Sequence, residues 1–97
     1  MEFRVSVLLS IQRSLWDLVT PNLRAVAVKA EAPVVAARFI FENDPTEEDR
    51  ENVSEAETST IADFHEDVVV TFSPVWIPAT EPRDLEASEH WVYLRKE

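Results

Sequence analysis

Neither cysteine nor glycine occurs anywhere in the 97 residues. Without cysteine there are no disulfides, no thiol nucleophile and no Cys-ligated zinc. Average usage would supply about seven glycines. Their absence excludes the phosphate-cradling loops of nucleotide-binding proteins, whose backbones need glycine to approach a phosphate closely. Basic residues are scarce too: nine Lys and Arg stand against 19 Asp and Glu, giving a net charge of −10 and a pI near 4.5. Nucleic acids and anionic membranes are bound through surplus Lys and Arg, so this balance argues against both as partners. Long hydrophobic runs are also missing. The apolar stretch around Leu8 and Leu9 has Glu2 before it, and Arg13 and Asp17 interrupt its continuation. A signal peptide would want a basic start and an unbroken apolar run, and nothing approaches the ~18 apolar residues of a membrane span. A soluble, cytoplasmic protein is expected.

What remains is ordinary globular material. With 45% apolar and 29% charged residues in 11.1 kDa, the chain is expected to form one domain over residues 1–97. Ser6, Ser10, Arg13, Ser14 and Asp17 recur at helical spacing, with Val5, Leu8, Leu9, Leu15, Trp16 and Val19 as the complementary apolar face. Pro21 disfavours helical geometry at Thr20 and ends that helix there, leaving Asn22 as the candidate left-handed residue. Val26 and Val28, then Val35, Ala37, Phe39 and Phe41, alternate as two strands around a Glu31-Ala32-Pro33 turn. Asp44-Pro45-Thr46-Glu47 has the form of a helix start, with Asp44 as cap, Pro45 at the first position and Glu47 at the third, as in a capping box. Val53, Ala56, Thr60, Ile61 and Phe64 extend one buried stripe to about Phe64. Val68 to Ser73 alternates as a third strand, residues 78–89 carry two prolines and read as a loop, and His90 to Arg95 closes as a fourth strand. The expected fold is α+β: a two-layer sandwich in the order α-β-β-α-β-β, two helices on a mostly antiparallel four-stranded sheet.

The charge is unevenly spread. Between Glu42 and Asp67 there are eleven acids and one base, Arg50, whereas elsewhere eight acids match eight bases. The entire net charge therefore belongs to one helix and its flanks. Glu47, Glu48, Glu51 and Glu55 project opposite the Val53/Ala56/Thr60 stripe as an acidic ridge. Like charges at i,i+4 cost a few tenths of a kcal/mol each. A solvated face with its first acids favoured by the helix N-terminus accounts for Glu47 and Glu48, but not for Glu51 and Glu55. The functional reading is a docking face for a basic protein partner, with Trp76, set between Pro74 and Pro78, as an exposed aromatic contact. Trp16 and one face of the last strand are expected in the core.

Catalytic signals are weak. His65 lies among Asp63, Glu66 and Asp67, but a single His with adjacent carboxylates lacks the further fixed ligands of a zinc site. His90 beside Trp91 is weaker still, and no nucleophile elbow or oxyanion loop accompanies either. No catalytic residue, metal site or cofactor is expected.

The PNLRAV segment after the first helix, RFIF, the acid-rich helix ending in IADF and the terminal WVYLRKE together carry a resemblance. They resemble small acidic bacterial immunity proteins of contact-dependent growth inhibition and related toxin systems, over most of the chain and through structural rather than catalytic motifs. The resemblance implies a cytoplasmic inhibitor that binds and neutralises a cognate toxin domain, often a nuclease. The charge agrees, since a nuclease is basic where it holds phosphate and an acidic ridge complements that surface. No contact residue carries over from the family, so Glu47, Glu48, Glu51, Glu55 and Trp76 rest on charge and exposure alone. The alternative is an acidic adaptor or homo-oligomeric module whose last edge strand pairs between subunits.

Overall fold

The computed structural model describes residues 2–97 as α1 (Phe3–Ser14), β1 (Leu23–Glu31), β2 (Val34–Phe41), α2 (Glu47–Ile61), β3 (Val69–Trp76) and β4 (Glu89–Leu94). Two helices and a four-stranded sheet appear in the expected order. The sheet itself differs from expectation. Its strands are arranged β3-β2-β1-β4; β1 is antiparallel to both neighbours, but β2 and β3 are parallel. The mixed sheet, in place of a mostly antiparallel one, follows from α2. A 15-residue helix carries the chain back about 22 Å, so β3 starts at the end where β2 started and runs the same way. The hairpin, by contrast, is as read: Glu31 pairs with Val34 across Ala32-Pro33.

The helices cover one sheet face. Val26, Val28, Val35, Ala37, Phe39, Phe41 and Phe72 meet Val7, Ile11, Val53 and Ala56 there, with the Phe39 and Phe72 rings 5.4 Å apart. Each fully buried Val or Ile contributes about 1.5–3 kcal/mol.

The first helix is turned relative to its expected face. Val7, Ser10, Ile11 and Ser14 are buried, while Trp16, expected in the core, is 77% exposed and Leu9 48%. The serines decide this. Ser14 Oγ donates to the Ser10 carbonyl at 2.8 Å and meets Ser59 Oγ and Thr60 Oγ1 at 3.2 Å, while Ser10 Oγ donates to Asp63 at 2.6 Å. Small hydroxyl side chains let α1 lie against α2, and each finds a partner, so their burial costs little. The helix also stops at Ser14 rather than at Thr20, and the left-handed residue is Asp17 (φ 67°), not Asn22. Aspartate tolerates that region better than most residues when glycine is absent.

The second helix starts two residues later than its sequence suggests. Thr46 is the N-cap, and its hydroxyl accepts from the Asp49 amide while Asp49 accepts from the Thr46 amide, both at 3.0 Å. Thr46 with Asp49 forms the reciprocal box in place of Asp44 with Glu47. The helix ends at Ile61, which is exposed, and Phe64 follows it half-buried, 5.9 Å from the Phe3 ring.

Ala25, Ala27 and Ile40 alternate with the core residues and so face away from the helices, yet all three are fully buried. Because β3 and β4 are opposite outer strands, residues 77–88 between them must cross the sheet, and they do so over this second face. Arg24, at a β-bulge in β1 and 2% exposed, donates to the carbonyls of Ile77 (2.8 Å), Pro78 (2.9 Å) and Glu81 (3.1 Å). Arg38 donates to the Asp84 carbonyl at 3.0 Å. What reads in the sequence as a loop is a strap that closes the back of the sheet.

The candidate interaction face

Glu47 and Glu48 lie in the first turn of α2, where the helix dipole favours negative charge. One and two turns on, Glu51 and Glu55 remain exposed on the same outer side. Among the described residues none of the four takes part in an ion pair; Arg50, the nearby base, reaches instead toward Asp44 at 3.9 Å. Asp49 plays a different role. It is buried and accepts from Thr20 Oγ1 (3.1 Å) and Asn22 Nδ2 (2.9 Å) as well as from the Thr46 amide. Burial opposes its ionisation, but the bonds from the Thr46 amide and from Asn22 outweigh it and hold its pKa below the ordinary value. It ties the helix start to the chain entering β1.

Glu57, also part of the acidic run, leaves the ridge. Its carboxylate accepts the Phe72 amide at 2.7 Å on the open side of β3. With Pro74 offering no donor two residues on, this edge is blunted against pairing with another chain.

Trp76 ends β3 rather than lying in irregular chain. It is 56% exposed, and its indole N–H donates to the Glu42 carbonyl at 3.1 Å. Glu42 also borders an open cleft of about 470 Å³ with Asn22, Asp44 and Glu48. Glu48 lines this cleft but Trp76 does not; the indole only holds the Glu42 carbonyl at its border, and Glu55 lies about 10 Å further along the helix than Glu48. Glu42 itself is neutralised by Arg95 Nη2 at 2.7 Å.

A family profile described as MafI2 immunity protein matches residues 4–97. The chain belongs to the MafI2 immunity protein family. No curated protein matches it significantly. Membership carries toxin neutralisation as the function of the family and a toxin as its partner. Immunity proteins of this kind are generally non-catalytic. In this immunity protein His65 is exposed, with Nδ1 3.3 Å from Asp67. Among the described residues no three His, Asp or Glu side chains converge to hold a metal ion. No helix among them is long and apolar enough to cross a membrane.

Two features escaped the sequence. The exposure of Trp16 could have been suspected from the serines that share its helix, since those small residues suit a helix–helix contact. The Arg24 network has no sequence signal, because its partners are distant carbonyls and Glu97 at the other end of the chain.

Proposed function

We propose that this protein neutralises a cognate toxin domain by presenting the outer face of α2 to a basic surface, with Glu47, Glu48, Glu51 and Glu55 supplying the attraction and Trp76 a contact at one end. The observation that carries this reading is four glutamates on one exposed helix face without a cation among the described residues to answer them. Chains keep such charges at a cost of a few tenths of a kcal/mol per like pair, which a basic partner would reverse. A nuclease fits as the target, because its phosphate-holding surface is basic. On this reading the chain is one folding unit, works without cofactor or metal in the cytoplasm, and need not be an enzyme.

The test co-expresses this chain with toxin domains taken from reading frames adjacent to its gene. Co-expression should protect cells from one of them. Association measured across a salt series should slow steeply as ionic strength rises, since the field of exposed charges reaches only about 8 Å at physiological salt. Protection absent, or association indifferent to salt, would count against the reading. A stable dimer paired through β4, the outer strand without the Glu57 and Pro74 devices, would favour the homo-oligomeric alternative.

A further inference from the structure

Val5 and Leu9 are exposed on the outer side of α1, opposite the buried Val7 and Ile11, and Trp16 follows in the turn just after the helix, 77% exposed. Single exposed hydrophobics are ordinary, but two on one helix face followed closely by a largely exposed tryptophan mark an interaction surface. Its place in the fold gives it a neighbour. On α2, Glu48, Asn52, Glu55 and Ser59 form one helical line. Asn52 Nδ2 donates to the Leu18 carbonyl at 3.4 Å, and Ser59 Oγ accepts from Ser14 at 3.2 Å. That line therefore borders the end of α1, and Trp16, between Ser14 and Leu18, is level with the turn that carries Glu55.

We infer that the outer face of this two-helix layer is the surface on which the toxin docks, with Trp16 as its apolar anchor and Glu48 and Glu55 as the adjoining charged rim. The matching toxin surface presents an apolar pocket edged by Lys or Arg. This rests on the proposed neutralising function and names where and through which chemistry it occurs. An anchoring aromatic beside charges of one sign is the composition of an interface centre with a steering rim. Charge also selects the occupant. A second copy laid face to face would bring two glutamate ridges together, each chain carrying −10 overall. Arg13 on the same helix is held by Asp63 and does not answer those acids.

The experiment measures binding kinetics of the purified toxin domain that co-expression with this chain neutralises, using the wild-type chain, Trp16→Ala, Leu9→Ser and Trp76→Ala. Loss of an anchor appears in dissociation, so Trp16→Ala should release the toxin ~10-fold faster or more, and Leu9→Ser should shift it in the same direction. Both variants should melt with the wild type, because neither side chain is buried. Wild-type dissociation from Trp16→Ala and Leu9→Ser would overturn the inference and leave toxin neutralisation standing, above all if Trp76→Ala alone accelerates release. A wild-type chain that does not bind the toxin would remove the proposed function and the inference together. A dimer of the free chain that Trp16→Ala dissolves would give the face to a second copy and overturn it as well.

Discussion

The acids of this protein live in two different ways on its two sides. Around the strap and the C-terminus Glu42, Glu86, Glu89 and Glu97 each meet an arginine. Glu97 faces Arg24 at 2.8 Å and Arg83 at 3.3 Å, Glu89 faces Arg38 at 2.7 Å, and Glu42 faces Arg95 at 2.7 Å. The hydrogen bonds from Arg38 hold Glu89 below the ordinary carboxylate range, and those from Arg24 bring Glu97 down to about 2. Along α2, Glu47, Glu48, Glu51 and Glu55 have no such neighbours among the described residues. Paired charges here close the fold, because they satisfy arginines that hold an irregular segment against a sheet. Unpaired charges contribute nothing to closure, so altering them should leave the fold intact and change what the surface attracts.

The sharpest way to break that comparison is at Arg24. Arg24→Ala would strip five hydrogen bonds from the strap carbonyls and Glu97. Removing one member of a buried charged network costs about 3–5 kcal/mol. For a domain of this size that lowers the melting temperature by roughly 12 °C or more. A thermal scan that shows only a slight change would mean that the strap is not held by this residue.

Next in size is the acid sensitivity of the strap. Glu97 has a folded pKa of about 2 against an ordinary 4.5. Its contribution is therefore complete above about pH 4.5 and lost as the pH falls toward 2. Glu97→Gln should start less stable at neutral pH and lose less across that window. Melting curves of the two proteins that stay parallel from pH 5 to 2 would contradict the pairing.

On the other side, Glu51→Lys with Glu55→Lys should change stability by only a few tenths of a kcal/mol, and upward, since the 47/51 pair becomes attractive while the 51/55 pair stays like-charged. The same reversal should slow association with the toxin ~10-fold or more. A large loss of melting temperature would show that these acids serve the fold after all. The smallest effect is expected at Ser88, which holds φ 67° just before β4. Ser88→Gly should relieve strain of about 1 kcal/mol at most, net of the added freedom of the unfolded chain, and a drop in melting temperature would argue against strain there.

Much of the layout was legible from residue periodicity. The hairpin residues from Val26 to Phe41 read as strands because large apolar residues on the helix-covered face alternate with smaller or charged ones such as Ala27, Lys29 and Arg38 on the other, although both faces are largely buried. The stripe of Val53, Ala56 and Thr60 was equally plain, because α2 is polar everywhere else. The first helix was less legible. Its apolar residues occupy two sides, and hydrophobicity alone favoured the side with the larger ones. Only the presence of α2, with Ser59, Thr60 and Asp63 as partners, makes Ser10 and Ser14 the buried choice. The ridge of Glu47, Glu48, Glu51 and Glu55 was readable as one face, and Trp76 as exposed. Their relation to Trp16 was not, since it depends on how two helices lie together.

The sequence by itself determined the number and order of elements, the concentration of charge on one helix and the exclusion of thiol and glycine-loop chemistry. These follow from local spacing and from residue types that are absent. The tertiary structure decided that β2 and β3 run parallel, that residues 77–88 roof the back of the sheet, held by Arg24, and that Trp16 is left exposed in the turn after α1 while Ser14 packs on α2. Each of those outcomes depends on residues far apart in the chain, where packing and the need to pair buried polar groups outweigh any local preference.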